Sequence, residues 1–489
     1  MGVRQGLVKK AVAGLALAGV VAYGGTIAYL THFDHAGAPT LPADSPTLKD
    51  PVALAAFNAL RETRCDYCHT RGADLPFYFH VPIAKQIMSR DLEQGLRHFR
   101  IEPVLAALRS GQAPTVEQLT RIETVIEQNR MPPGAYLLMH PHAYMTEKER
   151  RDVIAWTREV RARHYAGQGV APQFAAEPIQ PIPEKMDVNW EKAALGRDLF
   201  FDKRLSGDGT LNCASCHGLD KGGVDHLVTA TGIHDQKGPI NVPTVYNSVF
   251  NLAQFWNGRA RDLAAQAAGP VTNPVEMGSH DWTVAAAHIL AVPGYAARFE
   301  AVYGADTVNQ ATITDAIAEY EKTLVTPDSR FDRYLKGDNK AISAQELRGY
   351  ERFKAIGCAA CHNGVAVGGG AYEIMGLEGP YFADRKRPIT DADKGRETFT
   401  SSRDDFERFK VPNLRNIELT GPYFHDGSAK TLPDAVRAMA RYQTTDHAVS
   451  EQDVADITAF LKTLTGTYDG MPLKDVPADA PLRMDAPAP

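Results

Sequence analysis

The chain opens with about 20 mainly apolar residues, 11–30, a length that crosses a bilayer as a helix. No charge interrupts the run, and Arg4, Lys9 and Lys10 precede it. Cations on that side favour a cytoplasmic N-terminus, so the segment 1–34 reads as a cytoplasmic start plus a transmembrane anchor. A cleaved signal peptide, with Ala36-Gly37-Ala38 as cleavage site, is the competing reading. The apolar run is longer than a usual signal core and the site lies several residues beyond it, which favours the anchor.

Beyond a Pro- and small-residue-rich tether at 35–50, the apolar positions take helical spacing. Residues 53–60 and 116–129 each show it, and Thr146-Glu147-Lys148-Glu149 opens a further helix with a capping box. Pro172, Pro178, Pro181 and Pro183 then break any regular element and mark a linker at 168–185. Leu195, Leu199 and Phe200 share one helix face ahead of Cys213. Ser343-Ala344-Gln345-Glu346 is another capping box, and Leu347, Tyr350 and Phe353 form a stripe ahead of Cys358. The tail 472–489, rich in Pro, Asp and Ala, reads as disordered.

Three times a helix and a short loop lead into the same pentapeptide pattern: Cys65-Asp66-Tyr67-Cys68-His69, Cys213-Ala214-Ser215-Cys216-His217 and Cys358-Ala359-Ala360-Cys361-His362. An internal repeat of this kind implies repeated architecture. Cys-x-x-Cys-His is the attachment pattern of c-type haem: the thiols form thioethers to the vinyl groups, and the histidine ligates the iron. A lone copy would also suit a redox dithiol or half a zinc site. Here the three copies consume all six cysteines, leaving none for a disulfide or a catalytic thiol. The expectation is a mainly α protein with three covalently bound haem c groups. After the anchor come three cytochrome c-like domains in tandem, at 51–167, 186–333 and 334–471. Covalent haem attachment takes place outside the cytoplasm, which puts these domains in the periplasm. The net charge of −6 argues against non-specific nucleic-acid binding.

A haem with two protein ligands carries electrons, whereas one with an open sixth position can bind a substrate. Met131, beside Pro132 and Pro133, is a candidate sixth ligand opposite His69, with Met139, His140, His98 and His80 as rivals. Met439 lies in a helical run and is read equally well as core or as ligand to the third haem. The middle copy is followed by His226, His234 and Asn241, the run Gln254-Phe255-Trp256-Asn257-Gly258-Arg259-Ala260, Gln266, and a loop from Gly269 to Gly278. A loop carboxylate is commonly surface decoration. Over an open haem, however, Glu276 beside an amide could move a proton between peroxide oxygens.

Residues 187–465 resemble the bacterial dihaem cytochrome c peroxidases. The resemblance rests on Gly-Pro-Ile-Asn-Val-Pro-Thr-Val-Tyr-Asn (238–247), Gln-Phe-Trp-Asn-Gly-Arg-Ala (254–260), Gln-Ala-Ala-Gly-Pro (266–270) and Asn-Pro-Val-Glu-Met-Gly (273–278). Val-Pro-Asn-Leu-Arg-Asn (411–416) and Gly-Pro-Tyr-Phe-His-Asp-Gly (421–427) extend it. The resemblance implies that His217 is the proximal ligand of a peroxidatic haem and that His234 is the distal histidine released on reductive activation. It makes Gln266 and Glu276 the distal amide and the acid–base carboxylate, and Trp256 the aromatic between two haems. Met439 becomes the sixth ligand opposite His362, and His425 a neighbour of a haem propionate. Asn241, Thr420 and Pro422 match an inter-domain calcium site. The family commonly has Asp where Asn257 stands.

Residues 1–184 fall outside the ordinary dihaem pattern and are similar to a membrane-bound trihaem subgroup that includes quinol peroxidases. The implied reaction is reduction of hydrogen peroxide with electrons from membrane quinol or a small cytochrome c. Homodimers are common in the family. Two other functions compete. A maturation-type oxidase of the related dihaem group would use tyrosine where Met439 aligns, and Tyr442 lies three residues away. A plain trihaem electron carrier would leave the Trp256–Glu276 region without a purpose.

Overall fold

The computed structural model describes residues 2–483 apart from residue 447, with side chains from Val8 onward. The side chain of Arg4 and residues 484–489 of the expected tail therefore lie outside the described residues. The chain divides into two compact units, one up to Val160 and one from Arg161 onward. Both are mainly helical.

The first unit begins with α1 (Gly2–Ala36), of which Val8–Ala36 is long and apolar enough to cross a membrane. Val12, Leu15, Leu17, Val20 and Val21 are exposed around its middle, whereas Leu30 and Asp34 near its end are buried. The tether expected at 35–50 is packed: Ser45 and Thr47 are buried, and Ser45 Oγ donates to the Arg109 carbonyl at 2.9 Å. Its Pro-rich composition suppressed regular structure without preventing burial. Helices α2 (Pro51–Glu62), α3 (Pro82–His98), α4 (Val116–Glu127) and α5 (Glu147–His164) follow. The expected box on α5 forms, Thr146 and Glu149 bonding reciprocally. Phe57, Leu60, Leu108, Leu119, Ile122, Ile126 and Trp156 make the buried interior, each large side chain contributing roughly 1.5–3 kcal/mol.

The second unit contains α6 (Trp190–Phe200), α7 (Leu263–Thr272), α8 (Gln310–Thr323), α9 (Ala344–Ala355), α10 (Leu432–Gln443) and α11 (Glu451–Lys462). Within this unit, the helix before each of the two haem motifs crosses a later helix at a glycine. A Cβ on Gly196 of α6 would stand 1.8 Å from the Ala316 carbonyl of α8, and one on Gly349 of α9 would stand 1.9 Å from the Asp456 carbonyl of α11. No other residue allows backbones that close. The stripes read from the sequence point inward: Leu195, Leu199 and Phe200 join one core, Tyr350 and Phe353 the other. Two short antiparallel pairs complete the unit, β1 (Tyr372–Ile374) with β2 (Arg408–Lys410) and β3 (Thr467–Tyr468) with β4 (Met471–Pro472).

Three expected boundaries shift. The linker at 168–185 has no long element but belongs to the second unit, with Ile179 buried in the core around α9 and α11. The helix Arg330–Leu335 straddles the expected division at 333, and its Phe331 packs into that same core. Of the expected disordered tail, residues up to Arg483 fold back: Leu473, Val476 and Ala480 are buried against α6 and α8. Pro and Asp set the composition of that segment, but three well-spaced apolar side chains suffice to dock it.

Candidate active site

The three motif histidines share one arrangement. His69 Nδ1 faces the carbonyls of Gly95 (3.1 Å) and Phe99 (2.9 Å), His217 Nδ1 that of Gly223 (3.3 Å), and His362 Nδ1 that of Val367 (3.3 Å). A carbonyl at Nδ1 fixes the proton there and leaves Nε2 as the lone-pair nitrogen, the form that ligates iron. Burial pushes His69 and His217 below the ordinary histidine value and His362 down to about 4, so all three are neutral. None of the six cysteines forms a disulfide. Burial raises Cys65, Cys68 and Cys216 to about 11 and Cys358 to about 12. A redox dithiol needs the opposite shift.

Around the third motif the fold leaves a partly open cavity of about 220 Å3. Cys358, Cys361 and His362 line it, and so do Met439, Trp256 and His425. Met439 thus shares a cavity with His362, and Met375, which the sequence reading did not single out, is there too. Tyr442 is turned away, its hydroxyl 2.9 Å from Asp384 Oδ2. Lys410 is buried in the wall, and burial pushes it down to about 8. A buried ammonium in such a wall fits a group carrying carboxylates, as haem does. His425 Nε2 lies 2.8 Å from Asp393 Oδ1, and its ring stacks on Phe409 at 4.5 Å. Burial alone would raise Asp393, but His425 and Arg385 hold it far below the usual carboxylate range.

Asn241, Thr420 and Pro422 lie along the same cavity. The Asn241 amide donates to the Leu227 carbonyl at 2.8 Å, and the Trp256 indole N–H donates to the Asn241 carbonyl at 2.9 Å. The Asn241 side-chain oxygen is left as an acceptor. Among the described residues no hydrogen bond reaches the carbonyls of Thr420 and Pro422. Oxygen donors of this sort suit calcium.

After the second motif the distal elements meet. Asn273 donates its amide to Glu276 Oε1 at 2.8 Å. Burial raises the Glu276 carboxyl above its ordinary value, partly opposed by the charge of Arg259 and by the Asn273 bond. Arg259 had no role in the sequence reading. Its guanidinium lies 3.5 Å over the Phe255 ring, and Asn257 Oδ1 accepts from its backbone N–H (3.2 Å) and from Nη1 (3.3 Å). The substituted Asn257 therefore keeps an acceptor role. Gln266 is half-buried on α7, the element two turns ahead of the Glu276 loop.

His234 is exposed, with positive φ (55°), and its Nδ1 lies 3.8 Å from Asp208 Oδ2. Its loop nonetheless docks on the Glu276 loop. Ile233 N donates to the Glu276 carbonyl at 2.9 Å, and Gln236 Nε2 donates to the Pro274 carbonyl at 2.9 Å. In the first unit Met131 is half-buried in the turn after α4. Among its rivals, His140 has both ring nitrogens engaged, Nδ1 2.5 Å from Asp34 Oδ2 and Nε2 2.5 Å from the Tyr78 hydroxyl, while His80 is exposed.

Comparison with known proteins agrees with this chemistry. Family models for a di-haem cytochrome c peroxidase, a haem-binding domain and a cytochrome c match residues 190–340, 22–159 and 347–465. The chain is 43% identical to the cytochrome c peroxidase Ccp of Escherichia coli strain K12, over 93% of this chain and 96% of that protein. It is 49% identical to the cytochrome c551 peroxidase of Nitrosomonas europaea over 64% of this chain and 91% of the relative. A crystal structure of a MauG-like protein associated with microbial copper homeostasis superimposes with a TM-score of 0.53 at 28% identity, covering 62% of this chain and 97% of that one. With half-buried, neutral histidines at its haem-attachment motifs and relatives matched over nearly their whole length, the chain belongs to the di-haem cytochrome c peroxidase family and is a haem c peroxidase.

Proposed function

We propose that this peroxidase is anchored in the inner membrane by α1 and carries three covalent haem c groups, held at His69, His217 and His362. Its donor is membrane quinol or a small periplasmic cytochrome c. Electrons pass through the first and third sites to the middle one, where hydrogen peroxide takes up two electrons and two protons to give two waters. The observation that carries this reading is the middle site. A half-buried carboxyl with a raised pKa, Glu276, is aimed by Asn273 and faced by the charge of Arg259, while the expected distal ligand His234 stands outside.

Bound haem supplies the iron at which the peroxide is cleaved and the orbitals through which electrons arrive. The protein supplies the rest. Glu276 accepts the proton of one peroxide oxygen and returns it to the other, the task of a general acid–base whose pKa burial has raised toward neutrality. Gln266 orients the oxygen that leaves, and the Arg259 cation stabilises negative charge nearby. At the third site His362 and Met439, which share one cavity, would hold the haem iron, and Trp256 in the same wall would carry electrons toward the middle site. At the first, His69 would hold the iron and Met131 would supply its second ligand. Asn241 with the Thr420 and Pro422 carbonyls binds calcium, water completing the shell. The second unit associates as a homodimer.

The uncleaved anchor is supported by Asp34. Its carboxylate is buried near the end of α1 and receives the Tyr67 hydroxyl and His140, so cleavage after residue 36 would strip both of their partner. Met439 in the cavity, with Tyr442 bonded elsewhere, supports a peroxidase over the maturation-type oxidase. The test is steady-state peroxide reduction by the detergent-solubilised holoprotein, with quinol and reduced cytochrome c compared in parallel. Turnover with neither donor would overturn the reading.

A further inference from the structure

The first unit holds a buried polar cluster that neither haem attachment nor peroxide chemistry uses. Asp34, near the end of the apolar helix α1, is 1% exposed. Its Oδ2 lies 2.5 Å from His140 Nδ1 and 3.0 Å from His142 Nε2. The far nitrogen of His140 meets the Tyr78 hydroxyl at 2.5 Å, and His142 Nδ1 lies 3.2 Å from Thr31 Oγ1 of α1. The Tyr136 ring stacks on His140 at 4.3 Å, and its buried hydroxyl has no hydrogen-bond partner. The cluster is one bond from the first haem motif: Tyr67 donates to Asp34 Oδ1 at 2.5 Å, and Arg64 Nη1 to the Asp34 carbonyl at 2.8 Å.

The surface bordering this cluster is apolar. Phe77, Val81, Ile83, Ile87 and Leu138 are 48% to 74% exposed. Phe77 packs edge-on against Tyr29 of α1 at 5.6 Å, and the Tyr23 hydroxyl of α1 donates to the Leu138 carbonyl at 2.6 Å. The patch is therefore continuous with the side of the membrane-crossing helix, and a lipid-soluble molecule could reach the cluster without crossing water. Three donors within reach of one another could also hold a metal ion. Against that, Asp34 Oδ1 is taken by Tyr67, and the Arg64 guanidinium stands 3.9 Å from the same carboxylate, where it repels a cation.

We propose that Asp34, His140 and His142 form the proton-accepting site at which a membrane hydroquinone is oxidised, an inference that rests on quinol being a donor. The hydroquinone loses two electrons and two protons to become the quinone. The electrons would pass one at a time to haem held at Cys65–His69, which would give up the first to the other haem sites before taking the second. Each O–H bond breaks as the Tyr78 hydroxyl takes the donor's proton and gives its own to His140 Nε2, and Asp34 Oδ2, between His140 Nδ1 and His142 Nε2, balances the imidazolium charge and relays the proton to His142. His142, whose side chain is 17% exposed, hands each proton to solvent. The orphan Tyr136 hydroxyl supplies a hydrogen bond to one ring oxygen of the donor.

The test uses the full-length holoprotein in detergent, mixed in a stopped-flow instrument with decyl-hydroquinone while haem reduction is followed. Binding of a fluorescent hydroxyquinoline N-oxide is measured separately. His142→Asn, His140→Gln and the exposed Leu138→Asp are compared, and a full dithionite-reduced spectrum shows that each variant is folded and haem-loaded. The histidine variants should slow reduction by hydroquinone about 100-fold, the scale of a lost general base. Leu138→Asp should weaken binding of the fluorescent analogue. If all three match the wild type in rate and binding, the site is overturned while the quinol donor stands. If the wild type accepts electrons from reduced cytochrome c but not from hydroquinone, the donor reading fails and this inference with it. One equivalent of tightly bound divalent metal, lost in His142→Asn, would overturn the site in favour of a metal centre.

Discussion

The backbone N–H of Ile233 donates to the carbonyl of Glu276 at 2.9 Å, so the loop carrying His234, the proposed removable ligand, is bonded to the loop carrying Glu276, the proposed acid–base carboxylate. Gly232 makes this possible, since a Cβ there would stand 1.8 Å from the Val275 carbonyl. Gly232→Ala should push the two loops apart. Both the dependence on reductive activation and the peroxide turnover of activated enzyme should change together. Loss of only one, in parallel assays of as-isolated and pre-reduced protein, would show the loops to be independent.

Glu276→Gln should lower kcat by about 100- to 10,000-fold, the range of general acid–base catalysis, with haem content unchanged by pyridine haemochrome assay. The pH profile follows from the raised carboxyl. The proton-accepting form is lost as pH falls through the folded pKa, so the acid limb should lie above the ordinary glutamate value of 4.5. Asn273→Ala removes a bond that favours the ionised form and should move that limb higher still. A limb that stays in place would remove Asn273 from the mechanism.

His234 sits at φ 55°, a conformation that costs glycine nothing. His234→Gly should therefore fold and should be active as isolated, without prior reduction. Asp208→Asn, which weakens the contact holding the imidazole outside, should shift the as-isolated spectrum toward the six-coordinate form. A glycine variant still needing activation would end the gating idea.

Met439→Ala should convert the third haem from low to high spin and lower its potential, because thioether ligation raises it. Tyr442→Phe should leave the near-infrared and magnetic spectra unchanged. The reverse pattern would favour the maturation-type oxidase.

Arg415 and Asp332 form an ion pair of 2.8 Å with no exposure on either side. Arg415 also donates to the carbonyls of Val365 (2.7 Å) and Gln180 (2.8 Å) and to Ser329 Oγ (3.1 Å), tying four segments together. Arg415→Ala leaves a buried carboxylate unpaired and should cost roughly 3–5 kcal/mol. That loss is readable as an earlier chemical-denaturation midpoint of the holoprotein. A midpoint within error of the wild type would show the pair to be dispensable.

The haem chemistry was legible from the linear order, because thioether attachment needs two thiols and an imidazole at fixed short spacing, and local chain geometry alone provides that. Helix starts were legible for the same reason: Ser343 and Glu346 cap a helix whatever surrounds them. Contacts between distant segments were not. Nothing in the sequence announces that Ile179 and Val476, 297 positions apart, are each buried in a core with the helix that precedes a haem motif, since composition describes solvation and not what lies within reach. Arg259 was visible as a motif letter, but its action on Glu276 depends on two loops being folded together. Asp34 is the clearest case: in the sequence it is one acid after an apolar run, and only the tertiary fold surrounds it with His140, His142 and Tyr67. Spacing of a few residues is set by covalent geometry, whereas the electrostatics of a site arise from burial and proximity, which only the packed chain decides.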